Sequence, residues 1–201
     1  MAEVRTYPVP AARISEILRY AGASSAEGDL VRMAEDCLSE LSSGLSCLVC
    51  FEELNVREND GSVTVGNMDI VSESFKKYIS GCERVIVFAA TVGIYPDRLI
   101  RRYSRTSPAR ALMLDAVGSE LAEALCNAFC DDIKNEVKAR DYLSLPRFSP
   151  GYGDLPLKLQ KNIFSLLDCE RRIGVTLGDS LLMTPTKSVT AFIGLKNINI
   201  F

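Results

Sequence analysis

The run RFSPGYGDLP, residues 147–156, gathers side chains that suit small-molecule binding. Arg147 supplies a permanent planar cation whose N–H fork matches a carboxylate or a phosphate. Tyr152 offers a ring for stacking and one hydroxyl. Pro150 restricts the backbone before Gly151, and Gly153 permits positive φ or close approach of a ligand. Together these residues suit a zwitterionic molecule that also carries an aromatic ring. They equally suit a rigid connector whose arginine pairs with an acidic neighbour and whose tyrosine packs, and the residue chemistry leaves both readings open. Two generic phosphate motifs fail. Gly151-x-Gly153 is followed by Pro156 where a dinucleotide loop needs its third glycine, and no strand leads directly into it. No GxxxxGK[ST] stretch occurs either.

The chain has no histidine, which removes His-based triads, Cys–His pairs and HExxH metal sites from consideration. Any chemistry here either needs no histidine or belongs to a cofactor or a partner. There are seven cysteines, an odd number lying mostly within apolar periodic segments, so they read as small core residues rather than a disulfide framework. Cys47 and Cys50 have CxxC spacing inside a strand-like run, where alternation sends the two thiols to opposite faces. Cys126 and Cys130 share a helix face, but with no second pair a zinc site is not expected.

The elements that must position these residues follow from periodicity. Helical patterns cover residues 10–20 and 30–41. Residues 45–56 read as a long strand, and residues 58–61 turn it into a second strand at 62–65. A short helix is expected over 73–79. Residues 84–91 are continuously apolar and β-branched, the mark of a strand buried on both faces. A helix follows over 95–105, and its arginines read as a solvated face or a contact for an acidic surface. Residues 89–93 suit a pocket lining or tight strand-to-helix packing. The longest helix starts at Ser107 and Pro108, which suit the N-cap and N1 positions, and spans about 45–50 Å. Beyond the glycine-rich run come a helix over 155–168 with Pro156 in its first turn, then strands over 180–183 and 188–195 joined by a turn at 184–187. The expected fold class is α+β, a mostly antiparallel twisted sheet with a long helix packed across it and flanking helices. Residues 1–201 read as a single domain, within which residues 1–44 are a candidate small N-terminal helical lobe.

The composition is that of an ordinary globular chain, 47% hydrophobic and 24% charged, with a net charge of −3. No basic excess points to nucleic acid or an anionic membrane. No apolar run reaches the length of a bilayer span, and the N-terminus lacks the apolar stretch of a secretory signal. The expected compartment is the cytosol.

Residues 147–195 resemble the reactivation domain of cobalamin-dependent methionine synthase. That family carries Arg-x-x-Pro-Gly-Tyr, a helix, a Gly-x-x-Leu-x-x-Ser step and a turn into a Ser-Val strand. Here these are Arg147 through Tyr152, the helix to Asp168, Gly174 to Ser180, and Ser188-Val189. Residues 115–125 are similar to the family's long helix, and the N-terminal half agrees in coarse pattern. The resemblance implies that the chain binds S-adenosylmethionine and presents its methyl group to cob(I)alamin carried by the partner enzyme. Arg147 would hold the methionine carboxylate, while Pro150, Gly151, Tyr152 and Gly153 would line the adenosine side. The implied partner is a methionine synthase lacking its own activation domain, with a flavodoxin-like protein or another reductant supplying the electron. If the closing strands pair beside the loop, residues 184–188 lie near it, where their hydroxyls or Lys187 reach a ligand or the corrin side chains, or form an ordinary hairpin turn. The family's acidic ligand near the start of the long helix falls where this chain reads residues 106–110, and Asp115 stands one to two turns further on. Its paired-tyrosine segment has no counterpart in the residues up to Phe201. A second implied reading is a docking module that engages a corrinoid methyltransferase without binding S-adenosylmethionine.

Overall fold

Along strand β5 (Arg84–Thr91), Val85, Val87 and Ala89 enter one apolar core while Ile86, Phe88 and Ala90 enter another. A strand whose every second residue is apolar on both faces must be covered twice. The computed structural model, which describes residues 1–25 and 27–199, shows how. Strand β2 (Cys47–Asn59) runs antiparallel along one side of β5, and β9 (Ser188–Asn197) runs antiparallel along the other. The first half of β2 also pairs with β1 (Glu3–Tyr7), and its second half with β3 (Ser62–Val65). With β4 (Met68–Ile70) beyond β3 and β6 (Tyr142–Ser144) beyond β9, the seven-stranded sheet has the order β4-β3-β2-β5-β9-β6, with β1 off this path beside β2. All its pairings are antiparallel, so the fold class is α+β as expected.

One face is covered by α5 (Pro108–Lys138), with α1 (Ile14–Tyr20), α2 (Asp29–Ser42) and α4 (Tyr95–Tyr103) around it. At 31 residues α5 is about 46 Å long. Phe129, fully buried, stacks between Phe51 of β2 and Phe88 of β5 at centroid distances of 5.2 and 4.9 Å. Ile17, Leu18, Cys37 and Leu41 of α1 and α2 lie in the same core. The other face carries α3 (Glu73–Ile79), α6 (Gln160–Leu167) and α7 (Cys169–Ile173), whose Phe75, Ile163 and Ile173 pack over Val85, Val87 and Phe192. Cys47 and Cys50 do point to opposite faces, one into each core.

Several boundaries differ from expectation, each for a local reason. Ser107 flanks α5 but its hydroxyl makes no cap bond. Its N–H is drawn back to the Tyr103 carbonyl of α4 at 2.8 Å. Pro156 is extended rather than helical, and the first turn after it, Leu157–Leu159, is 3₁₀. The Leu155 carbonyl already accepts from Gly151 N–H at 2.8 Å, so Leu159 N–H turns to Pro156 at 3.1 Å instead. The strand expected over 180–183 shrinks to β8 (Met183–Thr184), which pairs with β7 (Thr176–Leu177) and not with β9. Leu181 sits at φ +63°, outside the strand region, and Leu182 is 72% exposed, so the apolar pair that suggested a strand neither extends nor packs as one. Strands β1, β4, β6 and β7 are short edge pieces that periodicity did not reveal. No helix among the described residues is long and apolar enough to cross a membrane.

Candidate functional site

Arg147 leaves β6 on a loop that runs back toward the middle of α5. Its Nη2 donates to Glu123 and its Nη1 donates to Asn127 Oδ1 at 3.1 Å. Glu123 and Asn127 are four residues apart and so share one helix face. The guanidinium and the carboxylate are both partly open, with side-chain exposures of 23% and 38%. Only one oxygen of Glu123 is engaged among the described residues. The pair therefore presents a cation and an anion side by side with hydrogen-bonding capacity left over, a complement to an ammonium and a carboxylate on one molecule.

The rest of the loop is anchored along its length. Phe148 exchanges two main-chain hydrogen bonds with Phe192 of β9, at 2.9 and 2.8 Å. Its ring meets Tyr78 of α3 at 4.8 Å and Phe75 at 6.0 Å. Pro150 is buried. Tyr152 N–H donates to Ser149 and its carbonyl accepts from Leu155, both at 3.1 Å, forming a compact turn. Gly151 and Gly153 both take positive φ, +89° and +59°. A Cβ on Gly153 would lie 2.6 Å from Ser74 Oγ, so the neighbour that demands a glycine there is α3. Tyr152 is 70% exposed and meets the Phe148 ring edge-on at 5.4 Å. Of the residues singled out in the sequence, Arg147 faces α5, Pro150 is internal, and Tyr152 stands on the surface.

Other sequence candidates take structural positions. Lys187 Nζ donates to Asp115 Oδ1 at 2.8 Å and to Ser119 Oγ at 3.0 Å. Its stem lies over Gly118, where a Cβ would come within 3.1 Å. Asp115 is thus held by this lysine, and the acidic group beside Arg147 is Glu123. That residue and Asn127 escaped the sequence reading. Their i, i+4 spacing marked a shared face, but the arginine opposite lies 24 residues from Glu123. Thr186 N–H is received by the Asp97 carboxylate of α4 at 3.2 Å. Gly93 packs against Ser46, which favours tight strand-to-helix packing over a pocket lining. Arg98, Arg101, Arg102 and Arg105 are exposed, with Arg102 over the Tyr103 ring.

A cleft of about 460 Å³ at the far end of α5 is also lined by arginines. There Arg5 is bound by both oxygens of Glu136, and Arg140 by both oxygens of Glu53. Both oxygens of those carboxylates are engaged, whereas Glu123 engages one among the described residues. Among the described residues no group of three Cys, Asp or Glu side chains could hold a metal ion.

An all-antiparallel sheet crossed by one long helix, with an arginine loop folded between that helix and the last strand, defines an α+β domain. A crystal structure of the MetH reactivation domain bound to AdoHcy has this fold: the TM-score is 0.73 over 96% of this chain and 78% of that one, at 15% identity. The family model for the activation domain of vitamin B12 dependent methionine synthase matches residues 42–197. The chain belongs to that family.

Proposed function

We propose that this chain reactivates a cobalamin-dependent methionine synthase, binding S-adenosylmethionine on the 147–153 loop and presenting its methyl group to cob(I)alamin on the partner enzyme. The observation that carries the reading is the half-engaged Arg147–Glu123 pair within the family's matched span. Arg147 is the group for the ligand's carboxylate and Glu123 for its ammonium. The exposed Tyr152 ring and the Pro150–Gly153 backbone take the adenosine side. The corrinoid, when bound to the partner, supplies the nucleophile. Residues of this chain bind, orient and shield the sulfonium, tasks that need no histidine because no proton moves. The partner is a synthase without its own activation domain, the electron comes from a flavodoxin-like protein or another reductant, and residues 1–201 act as one domain in the cytosol.

Titration calorimetry with S-adenosylmethionine, with and without the cobalamin partner, tests this. Arg147→Ala is expected to weaken binding at least about tenfold, the loss of one charge-assisted contact. Absence of binding in both conditions would sink the proposal. The second reading, a docking module that binds no S-adenosylmethionine, draws on the Glu123 contact that already occupies Arg147. It predicts association with the synthase that Arg147→Ala leaves unchanged.

A further inference from the structure

Asp154 lies in the same loop but has no part in the contacts given so far to the ligand. Its carboxylate accepts from Ser72 Oγ at 2.5 Å, Glu73 N–H at 2.7 Å and Ser74 N–H at 3.0 Å. The two N–H groups open α3 and have no carbonyl partner inside that helix. The Ser72 hydroxyl and the donors around it hold the Asp154 carboxyl well below the usual carboxylate range. The helix has a cap of its own, because Ser72 Oγ accepts from Phe75 N–H at 3.1 Å. What Asp154 adds is an attachment between segments some 80 residues apart.

That attachment sits next to the turn that matters for binding. A Cβ on Gly153 would meet the Ser74 side chain at 2.6 Å and force one of them to shift, and the turn at Ser149–Tyr152 closes just before it. From the same helix Phe75 and Tyr78 press on Phe148. The Tyr78 hydroxyl donates to the Phe192 carbonyl at 3.2 Å and accepts from Gly194 N–H at 2.8 Å. Helix α3 is therefore locked to β9, and Asp154 ties the loop's distal end to α3. Arg147 ties its proximal end to α5.

We propose that Asp154 is a positioning residue for S-adenosylmethionine binding: it clamps the Gly151–Gly153 turn to the start of α3, so that Tyr152 and the adjoining backbone are set relative to Arg147 before the ligand arrives. This rests on reading the loop as the S-adenosylmethionine cradle. A cradle ordered in advance binds more tightly because the ligand need not order it.

Two measurements on the whole chain test the clamp. The chain has no tryptophan, so Tyr152→Trp places a single fluorescent reporter in the turn. Adding Asp154→Ala is expected to lower its anisotropy and raise its quenching by acrylamide, with no ligand present. With Tyr152 intact, calorimetry with S-adenosylmethionine is expected to show Asp154→Ala binding about tenfold more weakly and Asp154→Asn, which keeps one acceptor oxygen, falling between it and the wild type. Ser72→Ala removes the helix's own cap but leaves both main-chain donors to Asp154. It is expected to lower the melting temperature more than Asp154→Ala while weakening binding less than about threefold. Unchanged anisotropy and quenching, unchanged affinity in Asp154→Ala, or affinity losses that simply follow melting temperature would each overturn the proposal. A wild-type chain that binds no S-adenosylmethionine either alone or with the cobalamin partner would overturn the cradle reading itself, while the fluorescence arm still reports whether Asp154 holds the turn.

Discussion

At the scale of single residues, the seven cysteines divide by environment. Burial pushes the thiols of Cys50 and Cys82 up to about 11 and those of Cys126 and Cys169 up to about 12. Burial also raises Cys37 and Cys47. Cys130 is only half-buried and lies against the Arg147 guanidinium, although burial still raises its thiol. The thiolate is the reactive form, so the folded protein at pH 7.5 is expected to alkylate first at Cys130. The buried thiols should react on the order of 100-fold more slowly than a free thiol. Timed alkylation read by peptide mass spectrometry checks this, and rapid labelling of Cys50 or Cys169 would contradict it. If S-adenosylmethionine occupies the Arg147 cradle, it should slow Cys130 as well.

Among the elements, α5 acts as a row of acids, each addressed to a different partner. Asp115 takes Lys187, Glu120 takes Arg13, Glu123 takes Arg147, Asp132 takes the Tyr7 hydroxyl and Glu136 takes Arg5. The helix thereby sets the loop before β9, the entry to α1, the Arg147 loop and the edge strand β1 in a common frame. A second electrostatic tie joins β2, β5 and the end of α5, where Glu53 receives Arg84 and Arg140. Burial alone would push the Glu53 carboxyl up, but hydrogen bonds and charge from Arg140 and Arg84 outweigh it and bring it below the ordinary value. With the folded pKa below the unfolded value of about 4.3, its stabilisation is complete above that value and fades as pH falls through the folded pKa. The melting temperature is expected to drop on acidification from about pH 5 to pH 3. Glu53→Gln should melt lower at pH 7, where two arginines lose their counter-charge, and show a shallower decline below pH 5. Thermal melts by circular dichroism at several pH values decide it; parallel curves for the two proteins would exclude Glu53 as a contributor.

For the molecule as a whole, β5 contributes three residues to each core, so both helical layers pack on it. Phe88→Ala, which removes the ring packed on Phe129, is expected to lower stability by about 3–5 kcal/mol. Wild type and variant should each unfold in one transition seen alike by near- and far-ultraviolet dichroism, and separate transitions would argue against a single domain. Residues 84–91 announced this role because, after Arg84, seven consecutive apolar or small side chains can only be satisfied between two layers. Elements governed by their own periodicity were legible too: the bounds of α3, β3 and β5 match the reading, and α5 has the expected length. Short edge strands were not, because two to five residues carry too little pattern, and the stretch over 180–183 misled because apolar residues beside Gly178 need not be buried. The loop over 147–153 was half legible. Local chemistry determined a stiff loop with an arginine at one end, glycines that accept positive φ, and a tyrosine between them. Tertiary structure alone decided that Glu123 and Asn127 face Arg147, that Asp115 is held by Lys187, and that Asp154 closes on α3. Such contacts join segments 20 to 82 residues apart, and their free energy depends on chain closure and packing that no local spacing encodes.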